Sequence, residues 1–216
     1  MHYEARYSDV FLFFAAYDVE KNADLFYKEV PDGVNVVTVG SIGASSLDSN
    51  PLAIVGGNCS IQGFDLEGND PFWTVTGDNV SSLTLMDYNR DGKNELIVGS
   101  EDFEIRIFAE DEILSEITET EAVTALTHVQ DGRFGYALAN GTVGVYEKTT
   151  RWWRIKSKNN ATAIFSYDLD GDGVKELITG MNMKYRLLGK NATFQYVGLK
   201  RSKMYCAQFS SRMEQW

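Results

Sequence analysis

A small-residue stop that returns about every 40 residues constrains this chain more than any other feature. LAIVGG at 52–57, LIVGS at 96–100, YALAN at 136–140 and LITG at 177–180 each end an apolar run on a small residue. Gly56 to Gly99 is 43 residues, Gly99 to Ala139 is 40, and Ala139 to Gly180 is 41. Nothing between the stops shows helical periodicity. Short runs rich in Val, Ile, Phe and Tyr alternate instead with Gly, Asn and Asp, the signature of strands and turns. Each period predicts a first strand (34–39, 82–86, 123–128, 161–167), the apolar second strand, a third (61–64, 104–108, 142–146) and a fourth (72–76, 114–118, 152–156).

Four short strands per period is the arithmetic of a propeller blade. The chain is therefore expected to be all-β: a partial, open β-propeller of about three complete four-stranded blades plus part of a fourth. The apolar second strands suit an inner position covered on both faces. A closed propeller takes at least four blades and often six to eight, so an arc with an uncovered face at each end is expected. Residues 17–180 carry the repeat, and 1–16 read as a divergent N-terminal segment. Residues 11–16 within it are apolar and read as a buried strand, too short to span a bilayer and without a basic lead.

Charge sets the C-terminal part aside. After Gly180 there are seven basic residues and one acid, which gives +6 there and −17 over the first 180 residues. Residues 181–216 thus read as a divergent basic tail, disordered or the product of alternative splicing or a gene-model boundary. The whole chain carries 31 acids against 20 Lys and Arg, a net charge of −11, which argues against nucleic acid or an anionic membrane as a partner. Cys59 and Cys206 are too few for a disulfide scaffold and form no CxxC zinc signature, so a reduced, intracellular protein is expected. Sequons at Asn79, Asn140, Asn160 and Asn191 carry weight only with secretion. The two histidines, His2 and His128, lie in no triad or metal-ligand pattern, and GxSxG, GxxxxGK[ST] and GxGxxG are absent. No catalytic or cofactor-binding residue is assigned, and a non-enzymatic protein is expected.

Two acidic turns, DYNRDGKNELIVG from Asp87 and DLDGDGVKELITG from Asp168, lie 81 positions apart. In the second, Asp168, Asp170, Asp172 and Glu176 take positions 1, 3, 5 and 9, with Gly173 at position 6 and the Val174 carbonyl at position 7. Ca²⁺ takes six to eight oxygens, and a tight glycine-bearing turn gathers such groups onto one centre. The first turn offers Asp87, Asn89, Asp91, the Lys93 carbonyl and Glu95, a weaker set because Asn89 replaces a carboxylate. Neither is an EF-hand, since position 12 is Val98 or Thr179. Asx turns also make good hairpins with no metal. The competing readings are a Ca²⁺ loop and plain turn punctuation. No cofactor is required on either.

Trp152, Trp153 and Arg154 could form an aromatic ligand patch, and Phe72 and Trp73 hold the matching place in an earlier period. Neighbours along a strand face opposite sides, so one aromatic of each pair is expected in the core and the other outside.

Several long stretches carry a more specific likeness. DLFYKEVPDGVNVV, PLAIVGGNCSIQGFDLEGNDPFWTVTGDNV, DGKNELIVGSEDFEIRIF, RFGYALANGTVGVYEKT and RWWRIKSKN include irregular loops as well as repeat cores. Residues 17–180 closely resemble the N-terminal propeller of the Bardet–Biedl syndrome 2 family, subunits of the ciliary BBSome. The resemblance implies a non-enzymatic scaffold in a coat-like complex that moves membrane proteins into and out of cilia. It also implies association with the related propeller-bearing subunits seven and nine, in the cytoplasm and at the cilium and its basal body, without direct membrane insertion. The competing function is a calcium-dependent, lectin-like adhesion propeller outside the cell, suggested by the acidic turns. A propeller hydrolase would need a catalytic cluster that two histidines do not supply.

Overall fold

The computed structural model describes residues 13–43, 51–110, 112–181, 193–200 and 203–210. All regular structure among them is β-strand. A hairpin of β1 (Phe13–Asp18) and β2 (Ala23–Glu29) leads. The first four-stranded sheet holds β3 (Val36–Gly40), β4 (Leu52–Gly56), β5 (Ser60–Phe64) and β6 (Phe72–Val75). The second holds β7 (Val80–Met86), β8 (Glu95–Ser100), β9 (Glu104–Ala109) and β10 (Glu112–Thr118). The third holds β11 (Val123–Gln130), β12 (Arg133–Leu138), β13 (Thr142–Glu147) and β14 (Thr150–Lys156), and the fourth β15 (Ala161–Tyr167), β16 (Glu176–Met181), β17 (Thr193–Lys200) and β18 (Lys203–Ser210).

Every sheet is an antiparallel meander whose order in space is its order in sequence. First strands stack on first strands, β3 on β7, β7 on β11 and β11 on β15. No ladder among the described residues joins the fourth sheet to the first, so the propeller is an open arc, as the repeat predicts. The fourth sheet carries two strands more than the sequence reading assigned to it. The backbone of β17 pairs with β16 (Ile178 opposite Tyr196) and that of β18 with β17 (Lys200 opposite Lys203). Charge counting set this stretch apart, but a hairpin closed across two residues forms by local pairing whatever its net charge.

The second strands are covered on both faces. All six residues of β8 are buried, and five of six in β12. Their side chains build cores shared between neighbouring sheets: Ile97, Ile105 and Ile107 meet Phe134, Tyr136 and Leu138, while Ile54 and Ile61 meet Leu96 and Val98. Two of the glycine stops have a packing reason. A Cβ on Gly99 would lie 2.5 Å from Val123 Cγ1, and one on Gly56 would lie 2.5 Å from Val80 Cγ1. Val80 and Val123 open the first strand of the following sheet and are fully buried. At these two sites the repeat marks where the next blade must come close. Cross-sheet hydrogen bonds reinforce the contact: Ser81 Oγ donates to the Val123 carbonyl (2.5 Å) and Thr124 Oγ1 to the Ala161 carbonyl (3.0 Å).

Residues 11 and 12 lie outside the described residues; over 13–16 the expectation of a buried strand is corrected. These residues are in strand β1, but Phe13 is 46% exposed, Ala15 is exposed, and Phe14 and Ala16 are half-buried. The cause is its two-stranded sheet, which has one face to cover. Phe14 and Phe26 pack on Phe64 of the first blade, with ring centroids 5.7 and 6.2 Å away.

Candidate functional site

Both acidic turns link the first and second strands of a blade, β7 to β8 and β15 to β16. They share a backbone scaffold. Asp87 Oδ1 accepts from Arg90 N and Asp91 N, and Oδ2 from Gly92 N at 2.8 Å. Asp168 Oδ1 accepts from Gly171 N and Asp172 N, and Oδ2 from Gly173 N, also at 2.8 Å. Left-handed residues match as well: Arg90 (φ 70) with Gly171 (φ 74), and Gly92 (φ 86) with Gly173 (φ 84). At the far end the buried glutamates Glu95 and Glu176 accept from Tyr88 N (2.7 Å) and Leu169 N (2.8 Å).

The loops differ at one place. Asn89 Nδ2 donates to Asp91 Oδ2 (3.0 Å) and to Glu95 Oε1 (3.1 Å), so the first loop hydrogen-bonds two of its acids internally. These bonds change the titration of the neighbours. The Asn89 amide, with the Lys93 N–H, holds the Asp91 carboxyl below its ordinary value. Burial pushes the Glu95 carboxyl up, opposed by the Tyr88 N–H. Asp170 replaces Asn89 in the second loop. There Asp168, Asp170 and Glu176 bring one carboxylate oxygen each within 4.8 Å of one another, and no other such acidic group occurs among the described residues.

Three of the five predicted ligands therefore converge. Asp172 points an oxygen into the loop, accepting from Val174 N at 3.0 Å, and Val174 is half-exposed. The donor set suits a hard cation. Three of the roughly four lone-pair sites on Asp168 are taken by backbone N–H groups, which leaves one for an ion.

The aromatic pairs split as expected. Phe72 is buried and Trp73 is 57% exposed; Trp153 packs in the core beneath β14, while Trp152 is exposed under the Arg133 guanidinium, 4.3 Å from its ring centre. Sequence reasoning missed a buried polar cluster between the second and third sheets. Glu119 Oε1 accepts from Tyr146 Oη and from Arg151 Nη2 (2.9 Å), and the Glu119 side chain is 1% exposed. Burial and the Glu119 carboxylate push the Tyr146 hydroxyl well above its ordinary pKa. Glu119 and its partners are 27 and 32 residues apart, and no local motif marks them.

Relatives complete the picture. A family model described as "Ciliary BBSome complex subunit 2, middle region" matches residues 82–184, and its N-terminal counterpart matches 12–40. The chain is 64% identical over 165 residues to "BBSome complex member BBS2" of Danio rerio, across 76% of this chain and 23% of that protein. It is 64% identical to the Homo sapiens protein over 76% of this chain and 22% of that one. For the Caenorhabditis elegans "BBSome complex member bbs-2" it is 46%, over 72% and 21%. The chain thus spans under a quarter of the length of these relatives. Among solved structures, a chain of the mitotic checkpoint complex matches with TM-score 0.70 at 13% identity, over 93% of this chain and 59% of that one. A chain of "BBS1N in complex with ARL6DN" matches with TM-score 0.61 at 12% identity, over 88% and 71%. These two likenesses speak to fold alone. Both family models and the identity over three-quarters of its length make the chain a member of the family of ciliary BBSome complex subunit 2.

Proposed function

We propose that this chain is a non-enzymatic interaction scaffold of a BBSome-type complex, acting in cilium assembly and in the delivery of membrane proteins to cilia. The observation that carries the reading is the 64% identity over 165 residues to a BBSome complex member. Its partners are the related propeller-bearing subunits seven and nine, and its place is the cytoplasm, the cilium and the basal body. Family membership supports this reading over a lectin-like adhesion protein. Co-purification with those subunits, beside a full-length family member as control, tests it. The expected result is capture by both; capture by the full-length control alone would remove the scaffold role from this chain.

The 168–176 loop is proposed to hold Ca²⁺ as a local brace, through Asp168, Asp170 and Glu176, with Asp172 and the Val174 carbonyl completing the set. Support comes from the three converging carboxylates, with Asp170 standing where the first loop has Asn89. The 87–95 loop, with Asp87, Asn89, Asp91, Lys93 and Glu95, needs no ion, because the Asn89 amide already serves its acids.

A further inference from the structure

An open groove of about 430 Å³ lies between the first sheet and the β9–β10 turn of the second, lined by Ile42, Leu52, Pro71, Phe72, Trp73 and Glu110. That volume falls within the range of ligand-binding clefts. Two features give the groove a character. Its wall is aromatic and open: Trp73 is 57% exposed on β6, the terminal strand of its sheet. Tryptophan in such a place is the side chain most often found to dominate a contact. Its lining includes one acid, Glu110, and no cation. No Lys, Arg or His lies between Lys28 and Arg90, so the entire first four-stranded sheet is without a cation. Asp70 immediately precedes Pro71, and Glu110 closes the opposite side from the turn between β9 and β10. Glu110 is exposed and sits in the left-handed region (φ 55), a backbone state a non-glycine residue seldom adopts.

We propose that this groove docks an extended segment of a partner protein in which apolar residues alternate with Lys or Arg. Apolar side chains would lie on Phe72 and Trp73, and a cation would face Glu110. Charge complementarity selects this occupant over a purely apolar one, and an indole face favours a cation further. The free edge of β6 offers backbone partners to an extended chain. The groove is built from the first two sheets and their turns alone.

The test is fluorescence anisotropy on the purified chain with a labelled peptide bearing an Arg-Leu-Arg-Leu core, beside Glu-Leu-Glu-Leu and Arg-Ser-Arg-Ser counterparts. The Arg-Leu peptide is expected to bind about tenfold tighter than either. Trp73→Ala should weaken it about tenfold, and Glu110→Arg should weaken it while admitting the Glu-Leu peptide. Both variants lie at exposed positions, and unchanged thermal unfolding confirms their fold. Undiminished binding by Trp73→Ala would mean diffuse attraction to an acidic protein. Equal binding of the Glu-Leu peptide would mean an apolar occupant, and absence of Arg-Leu binding would mean none of this kind. Each of those three results overturns the proposal.

Discussion

Asn89 and Asp170 hold the same place in two loops of matching backbone, and they fill it with opposite chemistry. The Asn89 amide donates to Asp91 and Glu95, whereas Asp170 adds a third carboxylate beside Asp168 and Glu176. Asp170→Asn is therefore expected to abolish any Ca²⁺ response and to stabilise the ion-free protein. Asn89→Asp should add a response at the first loop. Thermal unfolding with Ca²⁺ and with chelator reads both. An ion at a hundred times its Kd adds about 2.7 kcal/mol, or roughly 5–11 °C in a domain of this size. A full Ca²⁺ shift surviving in Asp170→Asn would show that the ion sits elsewhere.

Close approach at Gly99 gives a second expectation. Gly99→Ala would place a methyl group 2.5 Å from Val123 Cγ1, between backbone and a fully buried neighbour. A destabilisation of about 2 kcal/mol is expected from such overpacking. Val123→Ala in the same chain should recover part of it, and urea unfolding of the four members of the cycle measures the coupling. Strict additivity would contradict the contact.

Glu119 ties the second sheet to the third. Glu119→Ala leaves the Tyr146 O–H proton without its acceptor, while Arg151 Nη2, about one-third exposed, still donates to that oxygen and can also reach water. The expected loss is about 2–3 kcal/mol, below the roughly 3–5 kcal/mol of a fully buried broken pair because Arg151 is partly exposed. Tyr146→Phe keeps the ion pair and should cost about 1 kcal/mol. Chemical denaturation orders the two variants, and a Tyr146→Phe loss as large as that of Glu119→Ala would refute the ranking.

His128 sits at the junction of the third and fourth sheets, where its carbonyl accepts from Ser166 Oγ. Burial, and then the charge of Lys175, holds its imidazole below the usual 6.5, with Asp131 opposing. The unfolded chain thus binds the proton more readily than the folded one. This contribution is fully present above pH 6.5 and is lost as pH falls through the lower folded value. Stability measured from pH 7.5 to 5 should decline, and His128→Gln should flatten that part of the profile. An identical slope in both proteins would exclude His128 as its source.

What was legible in the sequence follows from what is local. Turn residues and apolar runs placed the strands of the first three sheets within about two residues at most ends, because each sheet is built from neighbours in sequence. The paired loops and the split of Phe72 from Trp73 were equally visible as spacing and alternation. Relationships across sheets were not. Glu119 with Arg151, and Trp73 with Glu110 across the groove, join residues more than 30 positions apart through packing that no single stretch encodes. Net charge near residues 193–210 carried no signal for the backbone pairing of β17 and β18.

The strictly sequential order of strands bears on how the molecule comes into being. Each sheet is drawn from one contiguous stretch, and each first strand stacks on that of the sheet just before it. A blade can therefore assemble as soon as its last strand leaves the ribosome, on a template its predecessor has already formed. Among the described strands each pairing is with a sequence neighbour, which keeps loop closures short and shields nascent edges in turn. Growth by accretion, one blade upon another, is the natural route for this arc during synthesis.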